Sequence, residues 1–114
     1  MNRVELVGNL VFPVAVRREC DVAPTIARAV IAVARVGAPG LDFVPLTLRG
    51  REAIDAAAYL GEGSLIAVHG HLHSVLLVER DSHGRPKRRE RPLYVIADRV
   101  TYLRVQTPQS GDRA

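Results

Sequence analysis

Phe43-Val44-Pro45-Leu46-Thr47-Leu48-Arg49-Gly50-Arg51-Glu52-Ala53-Ile54-Asp55-Ala56-Ala57-Ala58-Tyr59-Leu60-Gly61 is the stretch on which the reading of the fold turns. Its first residues alternate. Val44, Leu46 and Leu48 fall on one face of an extended chain and Phe43, Pro45, Thr47 and Arg49 on the other, so a half-buried strand is predicted over 43–49. The period then changes. Ile54, Ala57 and Ala58 lie at i, i+3 and i+4, and Glu52 and Asp55 sit early, where the helix dipole favours acids. With Gly61 as a C-terminal cap, the pattern predicts a helix from Arg51 to Leu60.

Both flanks read as strands. On the N-terminal side Val4 to Val11 forms a first strand, with Gly8 a bulge or close-approach position, and Phe12-Pro13 ends it. A second runs from about Thr25 to Val36 and stops at Gly37-Ala38-Pro39-Gly40; both its faces are apolar or alanine, which hides its inward phase. On the C-terminal side Leu65 to Val78 and Leu93 to Leu103 are strand-like. Between them, Arg80, Arg85, Lys87, Arg88, Arg89 and Arg91 outnumber Glu79, Asp81 and Glu90, placing +3 of the chain's net +4 in one segment. Ser82-His83-Gly84, Pro86 and Pro92 make that segment read as an exposed loop, a basic finger at the tip of a long β-hairpin. Three strands, a helix and two strands give a mainly β fold, the five-stranded OB-fold barrel with one helix between strands 3 and 4. The expected core is Val4, Leu6, Val30, Val44, Leu46, Leu48, Val68 and Leu72.

Composition narrows the function classes. At 114 residues, 47% hydrophobic and 25% charged, the chain is one globular domain and not a disordered one. Its apolar runs are too short and interrupted to span a bilayer, and no leader precedes them, so neither a membrane nor export is expected. The single cysteine, Cys20, cannot pair within the chain and suits a reducing cytoplasm. Aromatics are scarce: Phe12, Phe43, Tyr59, Tyr94 and Tyr102, with no tryptophan. The aliphatic remainder favours strands, and the positive balance points to an anionic partner. No Gly-rich nucleotide loop, paired-carboxylate signature or nucleophile elbow appears, so no enzyme and no cofactor is expected. His69-Gly70-His71-Leu72-His73 puts three imidazoles on one strand face, a spacing able to grip zinc. No motif supplies the remaining ligand, so no metal is expected, and a histidine-cluster metalloprotein is the enzyme-class alternative.

Several segments are familiar together. Met1-Asn2-Arg3-Val4-Glu5-Leu6-Val7-Gly8-Asn9-Leu10 resembles the opening of bacterial single-stranded DNA-binding proteins. Asp42-Phe43-Val44-Pro45 leading into Leu48-Arg49-Gly50-Arg51-Glu52-Ala53, then Ala58 to Ser64, Gly70 to Ser74 and Leu93 to Val100, follow in that family's order. The resemblance implies an OB-fold domain over 1–104 with a short flexible tail over 105–114, assembled as a homotetramer or a dimer. It implies non-catalytic, largely sequence-independent binding of single-stranded DNA in replication, recombination or repair. Such binding needs a cationic track and flat surfaces on which any base can stack. Phe43 and Arg49 are the expected base contacts, with Thr47 and Asn9 adjoining. Arg80, Arg85, Lys87, Arg88, Arg89 and Arg91 are the expected phosphate contacts, with Arg28, Arg35 and His73 as further ones, and Leu77 is expected to supply contact area without a π face.

The chain also departs from the family. Typical members carry aromatics at the positions of both Phe43 and Arg49, in the loop here reduced to Val36 to Gly40, and near Leu76 or Leu77; of these only Phe43 remains. Charge is therefore expected to carry a larger share of binding. The family's acidic, hydrophobic tip, which recruits replication and repair proteins, has no counterpart in Gln109-Ser110-Gly111-Asp112-Arg113-Ala114. That favours a specialised paralogue. The nearest alternative is a primosomal-type OB-fold accessory protein bridging replication-restart partners and DNA.

Overall fold

The computed structural model describes residues 1–17, 25–90 and 93–108, with the side chains of residues 77, 89 and 90 excepted. Among these residues, eight strands and one helix follow in the order β1 (Val4–Leu10), β2 (Ala15–Arg17), β3 (Ile26–Ala34), β4 (Leu41–Arg49), α1 (Gly50–Tyr59), β5 (Leu65–His73), β6 (Leu76–Arg80), β7 (Pro86–Glu90) and β8 (Tyr94–Arg104). Strands run in the spatial order β1-β5-β8-β4-β3, and β1 pairs again with β3 through Asn9↔Ala32 and Leu10↔Ile31, closing a five-stranded barrel. The β4–β8 seam is parallel, with Leu46↔Val95 and Thr47↔Ile96. The helix falls between the third and fourth barrel strands, as the change of period predicts.

The barrel is filled by alternation. Ala27, Ala29 and Ile31 from β3, Leu46 and Leu48 from β4, Ile66 and Val68 from β5, and Val95 and Ala97 from β8 point inward and are buried. Val4, Leu6 and Val44 pack against this cluster half-buried. Two core expectations are corrected. Val30 lies outside the cluster because β3 turns Ala27, Ala29 and Ile31 inward, where the two small side chains let α1 pack close to the strand. Leu72 is 43% exposed. It sits where the barrel ends, and its backbone exchanges hydrogen bonds with the Asn2 amide at 2.7 and 2.8 Å.

The helix is rotated by about one residue from its expected setting. Ala53 and Ala56 are its buried residues, followed by Leu60, while Ile54 and Ala57 flank them half-buried and Ala58 is exposed. Gly61 is not a left-handed cap. Leu60 takes the C-cap in an extended conformation, and the Gly61 N–H donates to the Gln106 carbonyl at 2.7 Å. Ser64 and Gln106 exchange two further bonds, so the first residues beyond β8 lie against the 61–64 turn.

Two features fall outside the simple alternation. β2 is a short strand paired with β3 through Ala15↔Arg28, and all three of its residues are exposed. The segment expected as a basic loop is largely a ribbon: β6 and β7 pair from Leu76↔Glu90 to Arg80↔Pro86, leaving only 81–85 as the turn. Asp81 organises that turn by accepting the Arg85 and His83 N–H groups, each at 2.9 Å.

Candidate nucleic-acid interface

Strand register assembles the site. Directly opposed residues of paired strands share a face. Arg28 faces Thr47 across β3–β4, Thr47 faces Ile96 across β4–β8, and Ile96 faces His71 across β8–β5. These four form one outward row over four strands. A parallel row brings Asn9, Ala32 and Phe43 together, and Val30 and Pro45 lie between the two. Thus Asn9, Arg28, Phe43 and Thr47, spread over 39 positions of sequence from 9 to 47, occupy one outward surface.

Phe43 is 61% exposed, a ring that water covers on a strand whose alternate residues fill the core. Such a ring offers a face for stacking. Arg49 is exposed at the end of the same strand, with Asp98 3.9 Å from its guanidinium. Asp98 owes its position to a β-bulge. The register slips between His69↔Arg99 and Gly70↔Ala97, so Asp98 has no opposite residue and turns its carboxylate to His71 at 2.9 Å. Gly70 is required there, because a Cβ would collide with the Ile96 carbonyl. Gly8 makes the corresponding close approach on β1, where a Cβ would lie 2.5 Å from the Ala32 oxygen.

The remaining expected contacts are distributed unevenly. Asn9 has its amide donating to the Gly63 carbonyl at 3.0 Å. Arg35 is paired with Asp42 at 3.1 Å, beyond the end of β3. Arg28 is exposed and makes no ion pair among the described residues. His73 meets Tyr94 edge to face, centroids 5.3 Å apart. On the ribbon, Arg80, Arg85, Lys87 and Arg88 are exposed, and Arg80 also donates to the Gly84 carbonyl at 3.0 Å. Leu77 and Arg89 face each other in the ribbon register, but their side chains lie outside the described residues, as do Arg91 and Cys20 entirely.

The three imidazoles point outward on β5 but separate into different contacts: His69 to Glu5 at 3.4 Å, His71 to Asp98, His73 to Tyr94. Among the described residues, no group of three or more His, Cys, Asp or Glu side chains is placed to hold a metal ion. No helix among them is long and apolar enough to cross a membrane.

The structure adds a feature that no local pattern announced. A groove of about 260 Å³ opens on this outward surface, lined by Phe12, Pro13, Ala15, Arg28, Val30, Pro45, Thr47 and Tyr94, with Ala29 and Leu46 at its base. Phe12 is drawn there because the Val11 N–H, just after β1, donates to the Val30 carbonyl at 2.9 Å. Between α1 and the later part of β8, Glu52, Asp55, Tyr59, Arg99 and Tyr102 line a more acidic cleft. There burial, and then the Glu52 and Asp55 charges, hold the Tyr102 phenol above the usual tyrosine range.

A closed five-stranded barrel with its helix between the third and fourth barrel strands places the chain in the OB-fold class. Along its sequence it is 28% identical, over 97% of its length and 76% of the relative's, to the single-stranded DNA-binding protein of Clostridium tetani (strain Massachusetts / E88). That similarity and the barrel bear out the resemblance read from the residues. No protein-family model matches the chain.

Proposed function

We propose that the protein binds single-stranded DNA without catalysing a reaction on it and with little sequence preference. The observation that carries this reading is the outward surface of β3 and β4. It joins an exposed ring, Phe43, to the guanidinium groups of Arg28 and Arg49 on a rigid barrel. A base can stack on the first while phosphates meet the second, and neither contact depends on base identity. The similarity to the Clostridium tetani protein supports the same ligand. The ribbon cations Arg80, Arg85, Lys87 and Arg88, with Arg89 and Arg91 of the same segment, extend the phosphate track.

Roles in replication, recombination or repair follow from such a ligand, and the cytoplasm is the compartment that holds it. Self-association as a dimer or tetramer belongs to this reading. It is supported by the outward face of β1 and β5, where the exposed Val7 stands opposite Ala67. The decisive experiment is fluorescence anisotropy with oligo-dT and with a duplex of equal length, across salt. Clear preference for the single strand with a steep negative salt slope is expected. Equal affinity for duplex would overturn the single-strand reading.

A further inference from the structure

The groove between the 11–15 connection and the β3–β4 surface lies on the same face as Phe43, yet it differs from a flat stacking surface. It is a concavity. Its lining is almost wholly apolar, with two aromatic rings, Phe12 and Tyr94, and two polar groups, Arg28 and Thr47. At about 260 Å³ it falls just below the size of sites for drug-sized ligands, roughly 300–1,000 Å³, which suits one small ring system. Phe12 is 60% exposed and Thr47 only 9%, so a guest would cover a ring that water now wets and sit against a largely buried threonine.

On these grounds, and resting on the single-strand reading above, we propose that the groove seats one nucleobase of the bound strand, with Phe12 and Tyr94 contacting its faces and Arg28 reading its edge. A nucleobase is the guest that matches both parts of the lining. Its faces are apolar and polarisable, while its rim carries hydrogen-bond acceptors. An aliphatic side chain from a protein partner would cover the rings but bring no acceptor to Arg28. Continuity favours the same guest: Arg28 and Thr47 oppose each other in the row that also holds Ile96 and His71, so a strand crossing this surface passes the mouth of the groove.

The chemistry of Arg28 sets a preference. A guanidinium presents two parallel donors and pairs best with two adjacent acceptors on one base edge, as guanine offers through N7 and O6. Cytosine offers N3 and O2 in the same arrangement; adenine and thymine alternate acceptor with donor. One nucleotide position of an otherwise indifferent track therefore favours guanine or cytosine.

NMR titration of the full chain with dGMP, dCMP, dAMP and dTMP tests this, alongside oligo-dT anisotropy on the same sample. Ring protons of Phe12 and Tyr94 should shift with every mononucleotide, with dGMP and dCMP bound at least about fivefold more tightly than dAMP and dTMP. Arg28→Met should erase that difference while leaving the ring shifts. Phe12→Ala, a change at an exposed side chain, should abolish the shift at Tyr94. Oligo-dT binding without mononucleotide shifts at Phe12 and Tyr94 would overturn the groove proposal and leave the strand reading standing. Ring shifts without oligo-dT binding would support the groove and overturn the strand reading. Equal shifts from N-acetyltyrosinamide would overturn the nucleobase assignment in favour of a protein side chain.

Discussion

The β6–β7 ribbon and the outward surface of β3–β4 both display arginines, yet they hold them by different means. On the barrel, Arg28 and Arg49 stand on strands whose other face carries Ala27, Ile31, Leu46 and Leu48, all buried. Their backbones are fixed before a ligand arrives. The ribbon has no such backing: two strands, one turn, and Leu76 and Val78 left 59% and 64% exposed. A two-stranded hairpin alone is marginally stable in water, so ordering it on a ligand costs conformational entropy. The contrast divides the labour. The ribbon supplies charge wherever phosphates lie, and the barrel supplies shape that only an unpaired base can meet.

Removing the ribbon's charge is the harshest way to break that division. Replacing Arg80, Arg85, Lys87 and Arg88 together with alanine should weaken binding to oligo-dT on the order of 100-fold at low salt. It should also flatten the slope of log K against log salt by roughly 3, since each lost single-strand phosphate contact contributes about 0.7. An unchanged slope would show that the ribbon stands clear of the strand. Phe43→Ala probes the other half. Loss of one stacking platform should weaken binding by about 1–3 kcal/mol with the salt slope intact, and should narrow the preference for single strand over duplex. A change in slope with no change in preference would reverse the roles assigned to the two regions.

The same division explains what could be read from the sequence. The strand at 43–49 was legible because Val44, Leu46 and Leu48 alternate with Phe43, Pro45, Thr47 and Arg49, and the core takes the aliphatic set. The helix was legible in position but not in rotation: with four alanines from Ala53 to Ala58 broken only by Ile54 and Asp55, bulk does not mark the buried stripe, and Ala53 and Ala56 fit closest to the barrel. In β6–β7 the charges masked a strand pattern, because a ribbon with both faces in water has no reason to alternate. β2 escaped for the same reason. The groove was illegible altogether. It depends on Val11 reaching Val30 and on Tyr94 arriving beside β4, contacts between segments distant in sequence.

Asp98 sharpens the comparison from inside the barrel surface. It is an acid on the face that would meet phosphates, held 2.9 Å from His71 and 3.9 Å from Arg49. Asp98→Asn keeps the size and a hydrogen-bonding capacity but removes the charge. Binding should tighten about two- to fivefold at low salt and converge with wild type at high salt, because exposed charge interactions are modest and screened. Weaker binding at every salt concentration would mean that Asp98 holds Arg49 in position.

The smallest effect lies away from both regions, where the acidic cleft marks a side of the barrel unsuited to phosphates. Burial and the neighbouring carboxylates of Glu52 and Asp55 disfavour the Tyr102 phenolate, so the folded state holds that proton more tightly than the unfolded chain does. The sign follows from linkage. Below the ordinary tyrosine value, about pH 10, both states keep the proton and the contribution to stability is complete. As pH rises from there through the raised folded value, the unfolded chain ionises first and stability declines. Tyr102→Phe removes the ionisable group and should lessen the fall in urea midpoint between pH 9 and pH 11, a small difference because the phenol is largely solvated. Identical pH profiles for the two proteins would mean that the Glu52 and Asp55 charges do not reach the phenol, and that the cleft is no more negative than the surface around it.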